Sequence, residues 1–191
     1  IVMRCTPVSA GCANCWHLQL ADRMKNNLKL PARRRSVYGG HASPYLDYNE
    51  LEAPLRRRTP AIIGVQFMGD LCHSEVPVRF VDRVMDVIDR TMRHTYIVLT
   101  KRPARAKTYA DRYGLLPDNL WLGVSVEDQQ TADERIAELR KIQAARRIVS
   151  VEPMLEPIDL RPYLATHRRQ CGLDWVIIGI ESGPQRRPCP Y

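Results

Sequence analysis

The chain predicts an α/β fold assembled from parallel β/α units, and two observations carry that expectation. Five short apolar runs, each about the length of a strand, alternate with segments whose apolar residues recur at helical spacing. The runs are apolar at nearly every position, as expected of strands covered on both faces in a parallel sheet.

Taken in order, Cys5 to Trp16 is a cysteine-rich loop, and His17 to Asn26 reads as a helix with Leu18, Leu20, Ala21 and Met24 as a rough apolar stripe. A loop feeding straight into a helix places backbone N–H groups near whatever the loop holds, which suits an anionic centre. Residues 27–60 carry Gly39-Gly40, Pro31, Pro44, Pro54 and two arginine triplets. They predict a long basic loop insertion with a turn of helix near Asn49 to Leu55. Regular alternation begins at Ala61. Strands are expected over Ala61–Phe67, Thr95–Thr100, Leu120–Val124, Arg147–Val151 and Trp175–Ile178. Helices are expected over Val78–Met92, started by Pro77, over Pro103–Tyr113, closed by Gly114, and over Gln129–Ala144. Pro157–Leu164 holds a short helix at most. A sixth strand would have to end at the cysteine loop, and its body is expected to lie before Ile1.

At 191 residues the chain fits one domain, 1–191, with enough apolar residues (45%) for a real core. Its longest apolar runs are far below the length of a membrane span, and no secretory leader is visible, so no membrane partner and a cytoplasmic location are expected. The formal charge of +8, with 29 Lys+Arg against 21 Asp+Glu, suits an anionic partner such as nucleic acid. The basic residues are clumped at Arg33-Arg34-Arg35, Arg56-Arg57-Arg58, Arg146-Arg147, Arg168-Arg169 and Arg186-Arg187. The plainer reading of such runs is a solvated loop.

Cys5, Cys12 and Cys15 are spaced C-x6-C-x2-C. Three soft thiolates in one loop form a metal-ligand constellation that lacks one ligand. The other cysteines, Cys72, Cys171 and Cys189, are scattered and read as buried or incidental thiols. In parallel β/α folds the active site lies at the carboxyl ends of the strands. Here each strand is followed there by a polar residue: Asp70, then Lys101 and Arg102, then Ser125 and Glu127, then Glu152, then Glu181. His73, beside Cys72, is a candidate proton carrier or simply an exposed loop residue.

These stretches together resemble the phage Gp37/Gp68-like three-cysteine-motif family (DUF5131). The resemblance runs in order through Cys5-x6-Cys12-x2-Cys15-Trp16, the run from Phe67 to Pro77, Leu99-Thr100-Lys101-Arg102-Pro103, the run from Trp121 to Glu127, Ser150-Val151-Glu152-Pro153-Met154-Leu155, and the run from Asp174 to Pro184. Three features depart from the family pattern. Cys72 stands where an aromatic residue is commoner, and Gly179-Ile180-Glu181-Ser182 stands for Gly-Gly-Glu-Ser. The family's segments before the cysteine loop and after the final motif look absent, so a chain truncated at both ends is expected.

The family is similar to radical S-adenosylmethionine enzymes, and that likeness implies a partial parallel (β/α)6-type barrel. It also implies a 4Fe–4S cluster on Cys5, Cys12 and Cys15, although the usual spacing is C-x3-C-x2-C. One iron would stay open to S-adenosylmethionine, whose reductive cleavage releases a 5′-deoxyadenosyl radical. By analogy Asp70, Lys101, Ser125, Glu127, Glu152 and Glu181 would bind the cofactor. Lys101 or Arg102 would meet its carboxylate or a substrate phosphate. The resemblance further implies a bacterial or phage-infected host and a neighbouring three-Cys-motif partner protein.

The residues leave alternatives open. One is a zinc-stabilised nucleic-acid-binding module without catalysis, with His17 as a fourth ligand. Another is a cofactorless α/β scaffold. The substrate is not legible.

Overall fold

The computed structural model describes residues 1–38, 42–164, 172–182 and 185–189. Cys171 and the Arg168-Arg169 pair lie outside the described residues, as do the last two residues of the Asp174–Pro184 motif. The chain begins with strand β1 (Val2–Met3), passes through the cysteine loop, and enters helix α1 (Trp16–Lys25). Residues 27–60 are more organised than the expected loop. They hold two one-turn helices, α2 (Ala32–Arg35) and α3 (Ala53–Arg56), and a strand β2 (Tyr45–Leu46). β2 pairs antiparallel with β1, Val2 opposite Leu46 and Met3 opposite Tyr45.

From there the alternation is regular: β3 (Ile62–Gly64), α4 (Val78–Asp89), β4 (Thr95–Thr100), α5 (Pro103–Tyr113), β5 (Leu120–Val126), α6 (Gln129–Arg140), β6 (Arg146–Val151) and β7 (Trp175–Ile178). Local chemistry sets the helix boundaries. α4 starts after Pro77 and buries Phe80, Val81, Val84, Met85, Val87 and Ile88 on one face. It ends at Asp89, so Met92 falls outside the helix and is exposed. α5 has proline at its first position and stops at Gly114, whose φ of 75° a side chain would strain. α6 opens with a reciprocal cap: the Asp128 carboxylate accepts from Thr131 N at 2.7 Å, and Thr131 Oγ1 accepts from Asp128 N at 3.2 Å. The stretch 157–164 contains a single 3₁₀ turn, Arg161–Tyr163. β3 is shorter than expected, and beyond it the Phe67 ring folds back over Gly64, where an added Cβ would lie 2.2 Å from the ring.

The five strands β3 to β7 form one parallel sheet in sequence order. A sheet wound in one direction by right-handed crossovers carries its helices on a single face and curls away from the other. The result is a curled half-barrel, compatible with the expected partial barrel. Tyr96, Val98, Leu122, Val124, Val149 and Val151 face the helices and join the main core with Ala132, Ile136 and Leu139 of α6. Each such aliphatic side chain, fully buried, contributes about 1.5–3 kcal/mol of transfer free energy. Strand alternation turns Trp121, Gly123 and Ser125 of β5 and Ile148 and Ser150 of β6 to the inner, concave face. The place of a sixth parallel strand is marked by one bridge, Arg4 to Gly69. Gly69 is required there, since a Cβ would sit 2.6 Å from the Val2 carbonyl. No helix among the described residues is long and apolar enough to cross a membrane.

Candidate metal centre

The cysteine loop lies across the carboxyl-end rim of the half-barrel, and side chains from successive strand ends hold it there. Asp70, after β3, is buried and almost fully used. Its Oδ1 accepts from Cys72 N and Thr100 Oγ1, both at 2.8 Å, and its Oδ2 accepts from Arg102 Nη1 at 2.9 Å. The same guanidinium, after β4, donates to Cys5 Sγ at 3.5 Å and to the carbonyl and hydroxyl of Thr6 at 3.1 and 3.0 Å. His73 closes this corner. Glu75 N donates to its Nδ1 at 3.1 Å, which leaves the proton on Nε2, donated to Thr6 Oγ1 at 2.8 Å. His73 is buried rather than exposed, and burial, then the Arg102 charge, hold its pKa below the ordinary histidine value.

Glu127, after β5, is the central anchor, with no exposed surface. Its Oε2 accepts from Lys101 Nζ at 2.7 Å and Arg135 Nη1 at 3.0 Å, and its Oε1 accepts from Gly11 N at 3.4 Å. Burial works against ionisation of this carboxyl. Lys101, together with hydrogen bonds and the charge of Arg135, outweighs burial and holds the pKa below the usual carboxylate value. Arg135 Nη2 donates onward to Ser9 Oγ at 2.8 Å. Gly11 fits tightly against this anchor. A Cβ there would lie 3.1 Å from Glu127 Cδ, Lys101 Nζ and Pro153 Cδ. The third clamp is Glu181, after β7. It accepts from Asn14 Nδ2 at 3.1 Å and from Arg187 N at 2.7 Å, and Arg187 also donates to it through its guanidinium. Arg187 Nη2 reaches the Ala10 carbonyl at 2.9 Å. The Arg187 hydrogen bonds pull the Glu181 pKa down to about 2.

The rim residues thus separate into two groups. Asp70, Lys101, Arg102, Glu127 and Glu181 hold the cysteine loop, directly or through one intermediary. The side chains of Ser125 and Glu152 do not, although the Ser125 carbonyl accepts from Arg135 Nη1 at 2.6 Å. Ser125 is half-buried on the inner face beside Ser150, its register partner. Glu152 is exposed, accepts from Ser150 Oγ at 2.8 Å, and lies over Gly179, where a Cβ would be 2.4 Å from Oε1. Thr6, Ser9, Asn14 and Arg135 also belong to the network, although the sequence does not single them out, and Arg187 enters it from a clump expected only to be basic. Arg135 alone carried a signal, as a charge among Ala132, Ile136 and Leu139 on the inward face of α6.

Cys5, Cys12 and Cys15 are half-buried cysteines outside any disulfide. Burial pushes Cys5 and Cys15 above the ordinary thiol pKa, and the nearby Cys12 adds to both. Arg102 works the other way on Cys5, as Lys101 does on Cys15. Among the described residues no three His, Cys, Asp or Glu side chains converge as a ready ligand group. The donor set nevertheless fits a soft metal centre by its chemistry. Three thiols share one loop, and Arg102 donates to one of them, Cys5, which favours its thiolate. Cys72 is a buried thiol, raised by burial and by Asp70. His17 is buried at the start of α1, its ring edge-on to Trp16 at 6.5 Å.

No curated protein and no solved structure matches the chain. The family model described as a protein of unknown function, DUF5131, covers residues 1–191, so the three-cysteine loop and the rim that clamps it belong to a member of the DUF5131 family.

Proposed function

We propose that this chain is an iron–sulfur enzyme of the radical S-adenosylmethionine type, with Cys5, Cys12 and Cys15 holding a 4Fe–4S cluster. The observation that carries the reading is the placement of the thiol loop. It lies on the carboxyl-end rim of a curled parallel half-barrel, clamped from the ends of β3, β4, β5 and β7. A three-thiolate cluster supplies low-potential electrons and one iron open to S-adenosylmethionine.

The chain's own residues supply position and charge. Arg102 lies against Cys5 and favours its thiolate form, and the Lys101 charge acts in the same sense on Cys15. Glu127 and Asp70 hold these two cations in place. Ser125, Ser150 and Glu152 present hydroxyl and carboxylate groups on the inner side of the same rim, within the half-barrel. There they are suited to accept hydrogen bonds from the amino group and ribose hydroxyls of the cofactor.

The test is anaerobic reconstitution with iron and sulfide, followed by an absorption spectrum, metal analysis and S-adenosylmethionine cleavage assay. A broad charge-transfer band near the visible edge, lost in Cys12→Ala, is expected, together with reductive cleavage. Stoichiometric zinc without iron after anaerobic purification, or a Cys12→Ala variant indistinguishable from the parent, overturns the reading.

A further inference from the structure

The four arginine clumps that fall within the described residues are not equivalent in the fold. Arg146 pairs with Asp174 at 3.2 Å, and Arg147 is buried with its guanidinium on the Ile142 carbonyl. Arg187 is bound to Glu181. Arg56-Arg57-Arg58 starts on the last residue of α3, whose end is gripped by Arg93 and His94 through the carbonyls of Pro54 and Arg57. Arg93 and His94 immediately precede β4, so this triplet lies at the amino end of the sheet, away from the cysteine loop.

The segment 23–35 is different. It contains Arg23, Lys25, Lys29, Arg33, Arg34 and Arg35, and no acid. Among the described residues none of these six forms an ion pair, although eleven other pairs neutralise cations elsewhere. All but Arg35 are exposed. Both ends of the segment are fixed at the cysteine loop. At one end Cys15 caps α1. At the other, Arg4 donates from Nε to the Val37 carbonyl at 3.1 Å and from Nη2 to Ser36 O. Arg4 adopts a φ of 67° to do so, a conformation that costs a non-glycine residue free energy and persists where the surroundings demand it. The arm therefore leaves from Cys15 and returns to the residue before Cys5.

We infer that this arm is a nucleic-acid phosphate-binding surface that delivers a strand to the rim. Six unneutralised cations along one segment bind a regular row of phosphates by releasing its condensed counterions. The role of the bound strand as substrate rests on the iron–sulfur reading, whereas its binding does not.

The test measures fluorescence anisotropy of a labelled 20-nucleotide mixed-sequence single strand with the full chain, across a salt series. Wild type is expected to bind with an affinity that falls linearly in log–log form. A Lys25→Gln/Lys29→Gln/Arg33→Gln/Arg34→Gln variant should show a slope shallower by about 3 and at least about tenfold weaker binding at low salt. Arg35 is left intact because its Nε is buried. Arg90→Gln/Lys107→Gln, which removes two ion-paired cations, should bind as wild type does. The inference is overturned if the fourfold variant retains the parent's affinity and slope, or if wild type does not bind the strand. Binding to anionic lipid vesicles but not to oligonucleotides overturns it too. Cluster formation is read separately by absorbance, so the two readings fail independently.

Discussion

Glu127→Gln tests the anchoring of the cysteine loop most directly. The carboxylate has no exposed surface and accepts from Lys101, Arg135 and Gly11 N at 2.7, 3.0 and 3.4 Å. Its two cationic partners are themselves largely buried, with side-chain exposures of 18% and 7%. Neutralising the carboxylate leaves two positive charges facing each other without a counter-charge. Removing one member of a buried ion pair costs about 3–5 kcal/mol. For a domain of this size, a loss of that order lowers Tm by about 6–20 °C. The loop should loosen at the same time, because Gly11 N loses its acceptor and Arg135 its fixed position under Ser9. Urea unfolding followed by circular dichroism gives the stability change, and timed reaction with a disulfide reagent gives cysteine accessibility. Adding Arg135→Met in a double-mutant cycle should recover part of the loss, since the second change removes one of the stranded charges. A stability change below about 1 kcal/mol, with unchanged thiol reactivity, would show that Glu127 is not the anchor.

Three further outcomes are expected. Glu181, with its pKa drawn down to about 2 by Arg187, is ionised and stabilising above the unfolded value near 4.5; this contribution fades as pH falls through that window toward 2. Acid titration of tryptophan fluorescence should therefore show a loss between these limits that Glu181→Gln lacks, and identical profiles would remove the clamp. Gly11→Val should raise thiol reactivity, because even its Cβ meets Glu127, Lys101 and Pro153 at 3.1 Å; an unchanged rate refutes the tight seat. Ile136→Ala, at a fully buried position of α6, should cost about 2–5 kcal/mol in urea unfolding, and a loss below about 1 kcal/mol contradicts its place in the core.

Much of the architecture was legible from the chain alone. β4, α5 and β7 lie where periodicity placed them, because an apolar run or stripe bounded by Pro103 or Gly114 has few other ways to bury itself. The polar residues after each strand were legible for the same reason: a parallel strand ends in a loop on one common face. Beyond the helical turn expected near Asn49 to Leu55, the segment 27–60 looks irregular in the sequence because β2 has only two residues and depends on β1 as its partner. The expected ends of α4 and α6 fall too late, since Met92 keeps the apolar spacing although it is exposed, and Ile142 is buried just beyond its helix.

The sequence by itself determined the α/β alternation, the three thiols in one loop and the polar strand ends, because each depends on residue type and short spacing. Only the tertiary structure decided what those polar groups do. Asp70, Lys101, Arg102, Glu127 and Glu181 grip the cysteine loop, while Ser125 and Glu152 stay on the inner face. That division turns on contacts between residues 116 and 167 positions apart, as in Gly11 with Glu127 and Asn14 with Glu181. The same holds for the basic clumps. They look alike along the chain, and the distinction between buried, paired and unneutralised arginines arises only when the fold brings acids to some of them.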